Sequence, residues 1–309
     1  MQHYIRRYYI VPVIMNSMTE VKTDNRVIRC YEIDGKNIDP KTVSSFGDEW
    51  KAFHGFDEKD LKLTGDMYFD IVTESMLNDQ CTVIDIGCGS GRFIKYLGDR
   101  YKTLVGLDPS QAIFAADHLV GKNEKVELLM ASTDHIPFPD DHFDFGYSLG
   151  VLHHIPDTKK ALNDCVKKVK PGGFFLLYLY YKLENRPFYF RAFYWLSNVI
   201  RLGVSKLPAT LKRWVCNFLA VLFYMPFVLL CRVLRFFRVP ERVRKHIPLQ
   251  AYERQSFYII RNDSLDRFGT PLEQRFSRDQ IEMMMKEAGL TDIIFSEKIP
   301  YWHAVGKRV

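Results

Sequence analysis

From Cys81 onward, apolar and polar positions alternate between two periods. Residues 81–86 form a short β-branched run that reads as a strand. Thr103–Leu107 reads as a second strand ending in Asp108, Val126–Met130 as a third, Asp141–Ser148 contains a fourth, and Phe174–Tyr180 is a fifth. Between them, Gly91–Gly98 opens a helix, Ser110 caps a helix to about Val120, and Asp157 caps one through Val169. Lys170-Pro171-Gly172-Gly173 breaks the chain before the fifth strand. Strands alternating with helices predict an α/β fold with a parallel sheet wound on both faces.

The pattern changes at Lys182. To about Leu249 the chain is basic, aromatic and apolar, with few strand signals. Sheet-type patterning then resumes: Ser277 caps an amphipathic helix to about Ala288, Gly289 ends it, and short strands follow near 291–296 and 300–306. The chain therefore divides into an N-terminal segment and cap (1–60), a core (61–181), a helical insertion after the fifth strand (182–260) and a C-terminal part that completes the core (261–309). Trp214–Cys231 is eighteen residues without a charge, the lower limit for a membrane span. A single crossing would place the two parts of one sheet on opposite sides of a bilayer. The partner a second crossing would need, Phe188–Val204, is interrupted by Arg191 and Arg201. The expectation is helices that lie on a membrane surface, or fold over a site as a lid.

Charge sharpens this picture. The 309 residues carry a net +6, but residues 182–250 hold thirteen Lys/Arg against Glu184 and Glu241, which leaves the remainder mildly acidic. Such asymmetry points to a local anionic partner. An anionic membrane fits the aromatic run Phe188–Trp195 and the cluster Arg232–Lys245; nucleic acid fits poorly, because few hydrogen-bonding residues interleave the basic ones. With 47% hydrophobic and 26% charged residues the chain is globular, of one or two domains. Six scattered cysteines without a Cys-x-x-Cys pair predict a reducing, cytoplasmic setting and no disulfide or zinc framework, and the basic apolar insertion adds a peripheral position on the inner face of the membrane. Residues 1–15 are aromatic and basic but lack the long apolar core of a signal peptide, and Met15 or Met18 could serve as the start.

The candidate chemistry begins at Val83-Ile84-Asp85-Ile86-Gly87-Cys88-Gly89-Ser90-Gly91-Arg92-Phe93. Gly87, Gly89 and Gly91 allow a sharp turn with no Cβ between backbone and ligand. Asp108, nineteen residues beyond Gly89, ends the neighbouring strand, where an acid can accept both ribose hydroxyls of a nucleoside. The G-x-G-x-G spacing, with Asp85 two residues before it, differs from the G-x-G-x-x-G of dinucleotide loops. Here the chain resembles the class I S-adenosylmethionine-dependent methyltransferases (methyltransferase type 11), and looks most like the branch that includes quinone-biosynthesis methyltransferases. The resemblance covers 80–181 specifically and 277–309 loosely. It implies a Rossmann-like, mostly parallel seven-stranded sheet and S-adenosyl-L-methionine as cofactor. The family's acid at the adenine amino group is replaced here by Ser132, so that Ser132 or a shifted Asp134 would serve, beside the Ile136-Pro137-Phe138 wall. Residues 148–157, Ser-Leu-Gly-Val-Leu-His-His-Ile-Pro-Asp, resemble the family's loop beside the methionine part and the reactive methyl.

The cofactor set is therefore Asp85, Gly87, Cys88, Gly89, Gly91, Asp108, Pro109, Ser132, Thr133 and Leu149. His153 and His154 are candidates for a general base, with loop packing as the alternative; their adjacency does not make a metal pair. Related chains carry Phe-Gly-x-x-Trp segments like that at 46–50, which is expected to be a cap with Phe46, Trp50 and Phe53 as liners or a helix packed on the sheet edge. In the tail, Glu273, Arg275, Tyr301 and His303 are pocket candidates, or packed and ion-paired residues. The expected function is methyl transfer to a small molecule, hydrophobic or lipid-linked. A soluble sugar or polyketide-like acceptor, a nicotinamide-dependent oxidoreductase and an inactive cofactor-binding adaptor remain open.

Overall fold

The computed structural model describes residues 9–15, 18–33, 35–52 and 57–309, with 9–15 and 48–52 traced as backbone. Its strands are β1 (Tyr9–Met15), β2 (Met18–Lys22), β3 (Val27–Tyr31), β4 (Thr82–Ile86), β5 (Thr103–Leu107), β6 (Val126–Met130), β7 (Phe143–Leu149), β8 (Val169–Tyr178), β9 (Leu290–Phe295) and β10 (Ala304–Arg308). They form one sheet in the order β1-β2-β3-β6-β5-β4-β7-β8-β10-β9. Neighbours from β3 to β8 are parallel; β1, β2, β9 and β10 pair antiparallel at the two margins.

The sheet thus has ten strands among the described residues, where seven were expected. Strands β4–β10 are those seven. The other three come from the segment expected to be only a cap. Ile28 of β3 is fully buried, and Arg26 pairs with Asp117 at 2.8 Å and donates to the Val126 carbonyl at 2.6 Å, which fastens the hairpin beside β6.

The helices are α1 (Pro40–Ala52), α2 (Glu58–Tyr68), α3 (Arg92–Leu97), α4 (Ala112–Val120), α5 (Thr158–Val166), α6 (Phe188–Val204), α7 (Ala209–Leu219), α8 (Met225–Phe236), α9 (Glu241–Arg244), α10 (Phe257–Gly269) and α11 (Arg278–Glu287). Period-two alternation along the strands feeds two cores. Ile84, Val105, Leu129, Phe175 and Leu177 pack with α5 and α11. Val83, Leu104, Leu128, Phe145 and Leu176 pack with α3 and α4 on the opposite face. Strands buried on both faces explain why β4 reads as a continuous apolar run. Ser277 caps α11 as the sequence predicts, its Oγ accepting from Gln280 N at 3.2 Å, and the Gln280 side chain completes a capping box. Lys170–Gly173 corrects an expectation: the segment does not break the chain but belongs to β8, beside a register shift against β7.

A third core belongs to the insertion. Val204, Cys216, Leu219, Tyr224 and Val228 surround Ile260, Leu265 and Phe268 of α10 and reach Ala112 and Phe46 of the main body. The chain leaves the sheet at Tyr181 and returns at Phe276, where the two residues form a parallel bridge. The insertion therefore includes all of α10; the expected boundary at 260 falls inside that helix, and the boundary at 60 falls inside α2. Among the described residues one helix, Ala209–Phe236, is long and apolar enough to cross a membrane, and a third of its apolar stretch is buried inside the molecule.

Candidate active site

The parallel strands end on one side of the sheet, and the ends of β4 to β8 open into a cavity of about 440 Å³. At its floor lies the glycine loop. Gly87 has φ +79°, and a Cβ there would meet both γ-carbons of Val151 at 2.5 Å, so no other residue fits without displacement. The amides of Gly87 and Cys88 donate to the Leu107 carbonyl (2.7 and 3.0 Å), that of Gly91 to the Cys88 carbonyl (2.8 Å), and that of Gly89 to Asp108 Oδ2 (3.0 Å). Asp108 Oδ1 accepts from the amide and hydroxyl of Ser110 at 2.8 and 2.6 Å. Burial pushes the Asp108 carboxyl upward, and these donors offset part of that push. Ser90 Oγ, buried at the cavity wall, has no hydrogen-bond partner.

The cavity brings together most of the expected cofactor set: Gly87, Cys88, Gly89, Asp108, Pro109, Ser132, Thr133 and Leu149 all line it. Asp85 and Gly91 do not. Asp85 lies beneath the loop, its Oδ2 unpartnered, and burial with the nearby Asp108 charge pushes its carboxyl up to about 8. Gly91 (φ +76°) is the N-cap of α3, and the site of its missing Cβ is filled by Ala116, so its role is helix packing. Asp134 is also corrected: it accepts from Asn37 N (2.8 Å) and Lys160 Nζ (3.0 Å) and fixes the segment before α1, away from the cavity.

The histidines separate cleanly. His153 is fully buried, stacks on Tyr180 with ring centres 3.8 Å apart, and accepts from Tyr180 N at 3.4 Å. Burial holds its imidazole well below the usual range, and the ring packs on Tyr180 without lining the cavity, which gives it a packing role. His154 lines the cavity. Its Nδ1 lies 2.6 Å from the Leu272 carbonyl, which can only accept, so Nδ1 carries the proton. Its Nε2 has no hydrogen-bond partner and faces Asp266 Oδ1 at 3.9 Å. Phe46 of α1 lines the cavity and meets the His154 ring edge-on at 4.9 Å. The side chain of Trp50 and all of Phe53 lie outside the described residues.

In the tail, Arg275 and Tyr301 line the cavity. Glu273 does not; it is buried between Arg267 (2.7 Å) and Arg275 (2.8 Å). Burial alone would raise its carboxyl, but the two guanidiniums outweigh that and bring it to about 2. His303 is fully buried, with Nε2 at 2.7 Å from Asp70 and Nδ1 at 2.6 Å from the Pro300 carbonyl, and is structural. Sequence reasoning missed the far wall: Tyr68, Tyr178, Tyr180, Tyr224 and Tyr252 with Asp263 and Asp266. The i, i+3 spacing of the two acids and the i, i+2 spacing of Tyr178 and Tyr180 were the available signals. Among the described residues no group of three or more His, Cys, Asp and Glu could hold a metal ion.

A doubly wound sheet, a positive-φ glycine loop and an acid at the end of the adjoining strand define a nucleoside-binding α/β domain. Four of the loop amides are engaged internally, which removes donors that a dinucleotide pyrophosphate would require. Residues 84–177 match the family model described as the methyltransferase domain. The phosphoethanolamine N-methyltransferase of Triticum aestivum is 33% identical over 108 residues, covering 34% of this chain and 21% of that one. A tRNA U34 carboxymethyltransferase of Nautilia profundicola is 25% identical over 173 residues, 52% and 53% of the two chains. The crystal structure of human N-acetylserotonin methyltransferase in complex with SAM superposes with a TM-score of 0.45 at 14% identity, over 79% of this chain and 51% of that one. The aligned part is thus about a fifth of the wheat relative and half of the Nautilia one. This chain carries a class I S-adenosylmethionine-dependent methyltransferase domain, and S-adenosylmethionine is the cofactor of that domain.

Proposed function

We propose that the protein transfers the methyl group of S-adenosylmethionine to a small amphiphilic acceptor, hydrophobic or lipid-linked, at the cytoplasmic surface of an anionic membrane. One observation carries this reading: the cavity that begins at Gly87 and Asp108 continues into a chamber roofed by Phe190, Phe193, Tyr224 and Phe268 of the insertion. Asp108 would hold the ribose hydroxyls, Ser132 and Thr133 the adenine end, and Leu149 the methionine end. The lone Ser90 hydroxyl and the closed backbone at Gly87 suit a ligand lying flat on the loop.

When bound, the cofactor supplies a methyl made electrophilic by its sulfonium. The chain's task is to align an acceptor and keep water out, and alignment alone supplies about 7–11 kcal/mol. His154 accepts the acceptor's proton at Nε2, since the Leu272 carbonyl holds the tautomer in which that atom bears the lone pair. His154→Gln is expected to lower kcat by on the order of 10²–10⁴ while leaving affinity for S-adenosylhomocysteine unchanged. Isothermal titration and single-turnover rates check this; an unchanged kcat removes the base assignment.

The outer faces of α6 and of α7–α8 support the membrane. Both elements rest on α10 through their inner residues and expose their outer sides. Trp195, Trp214, Phe218 and Phe236 are 67%, 70%, 65% and 82% exposed there. Arg191, Arg213, Arg235, Arg238 and Arg242 of the same insertion are also exposed. Aromatic and aliphatic side chains together with exposed arginines suit an anionic leaflet, where each Lys or Arg contributes about 1 kcal/mol. The deciding experiment is incubation with methyl-labelled cofactor and separated lipid and aqueous extracts, followed by mass spectrometry. Label in an organic-phase product is expected. Label confined to a water-soluble product favours the soluble acceptor, and no label with intact cofactor binding favours an adaptor.

A further inference from the structure

We propose that the far wall of the chamber is a seat for an alkylammonium group, and therefore that the acceptor is an amine-bearing amphiphile methylated on nitrogen. The inference rests on the methyl-transfer reading above and narrows its substrate class.

Asp263 and Asp266 project from one face of α10 into the cavity. The neighbours of both carboxylates are mainly neutral donors. Asp263 accepts from the hydroxyls of Tyr224 and Tyr252, each at 2.5 Å. Asp266 accepts from the Tyr180 hydroxyl and, at 3.2 Å, from Thr270 Oγ1. Among the described residues neither aspartate has a Lys or Arg within ion-pair distance, because the nearby Arg267 and Arg275 are both engaged by Glu273. The chamber wall therefore presents two carboxylates and several tyrosine rings, and the arginines that also line the cavity, Arg92, Arg186, Arg267 and Arg275, stand outside ion-pair distance of both acids. Burial, helped by the neighbouring Asp266 charge, pushes the Asp263 carboxyl above its ordinary range, against the opposing pull of the two tyrosine hydroxyls and of Arg267.

A second observation points to the same ligand. His154 is 5% exposed, and its Nε2 is unpartnered and faces Asp266 across 3.9 Å. An ammonium entering between them would donate one N–H to Nε2 and another to the carboxylate, with its remaining surface against tyrosine faces. A hydroxyl has a single proton and satisfies only one of these acceptors. Methylation then balances: one N–H proton passes to His154 Nε2, the electron pair left on nitrogen forms the new N–C bond, and the C–S bond breaks with its pair on sulfur.

The test compares hexylammonium with hexan-1-ol, which share a tail and differ in charge, by isothermal titration of the full-length protein with and without S-adenosylhomocysteine. Hexylammonium is expected to bind about tenfold or more tighter than the alcohol. Asp266→Asn and Asp263→Asn should bring the two to parity. The comparison on the wild type decides even where a variant does not fold. Equal affinity, or binding of neither probe, in a protein that still binds S-adenosylhomocysteine overturns the amine site alone. Retained selectivity for the amine in a protein that does not bind S-adenosylhomocysteine overturns the methyl-transfer reading while the cation seat stands.

Discussion

Asp85 and Asp108 stand at the ends of adjacent strands and were expected to act alike, yet they differ in what reaches them. Asp108 is met by three donors and faces the cavity. Asp85 is sealed beneath the loop, with its carboxyl raised by burial to about 8. An unfolded Asp titrates near 4, so between about pH 4 and 8 the folded chain binds the extra proton and stability falls as pH rises. Asp85→Asn removes that dependence. It is expected to leave the unfolding free energy unchanged near pH 4 and to raise it by on the order of 1–3 kcal/mol at pH 9, since each pKa unit is worth about 1.4 kcal/mol and relaxation returns part of it. Urea unfolding at the two pH values checks this; equal effects at both would show that Asp85 is not protonated in the fold. Residue identity made the glycine loop and Asp108 legible, because backbone conformation and ligand chemistry there demand those residue types. It could not separate His153 from His154, since adjacent positions in a short turn differ only in which ring the tertiary packing covers.

At the scale of elements, α10 shows where pattern reading runs out. Its sequence, from Phe257 to Gly269, mixes Asn262, Asp263, Ser264, Asp266 and Arg267 among apolar residues, and the expected boundary at 260 cuts through it. The helix is nonetheless central to the insertion, because its polar side faces a cavity and an ion cluster instead of solvent. The β4-to-β8 elements were legible since both of their faces meet apolar neighbours, whereas β1–β3 lie at the sheet margin, joined to β6 through the pairing of Arg29 and Cys30 and through the Arg26 contacts to Asp117 and Val126. The ion cluster itself is testable. Glu273 receives Arg267 and Arg275, with Tyr194 stacked under both guanidiniums at 4.3 and 4.2 Å. Glu273→Gln leaves two buried cations without a partner and is expected to cost about 3–5 kcal/mol. Because its pKa is depressed to about 2, the wild-type contribution is complete above about pH 4.5 and fades as pH falls toward 2, while the variant lacks it throughout. Denaturation at about pH 7 and again at about pH 3, with limited proteolysis to locate the loosened segment in 182–275, measures both effects; a stability at neutral pH within about 1 kcal/mol of wild type would show that the arginines find other partners.

For the whole molecule, the question is how an apolar acceptor reaches a cofactor lying on a sheet otherwise covered by helices. The insertion answers geometrically. Its inner residues roof the chamber, and its outer residues expose aromatic, aliphatic and arginine side chains. α6 contributes both to the chamber lining, through Phe190 and Phe193, and to the exposed surface, through Trp195, whereas α10 lies between the chamber and α7. Trp214 and Phe218 sit on the outer side of α7, 70% and 65% exposed, and are not among the residues lining the cavity. Charging them should therefore uncouple docking from catalysis. Trp214→Glu with Phe218→Glu is expected to lower partition onto anionic vesicles by about tenfold or more, since each large side chain contributes roughly 1.5–3 kcal/mol when buried. S-adenosylhomocysteine affinity and turnover of a detergent-dispersed acceptor should stay at wild-type level. Wild-type partition should also weaken as salt rises, through screening of the exposed arginines. Vesicle sedimentation with and without added salt reads both effects. Partition that is insensitive to both the double substitution and salt would remove the membrane from the proposal and leave the insertion as a lid alone.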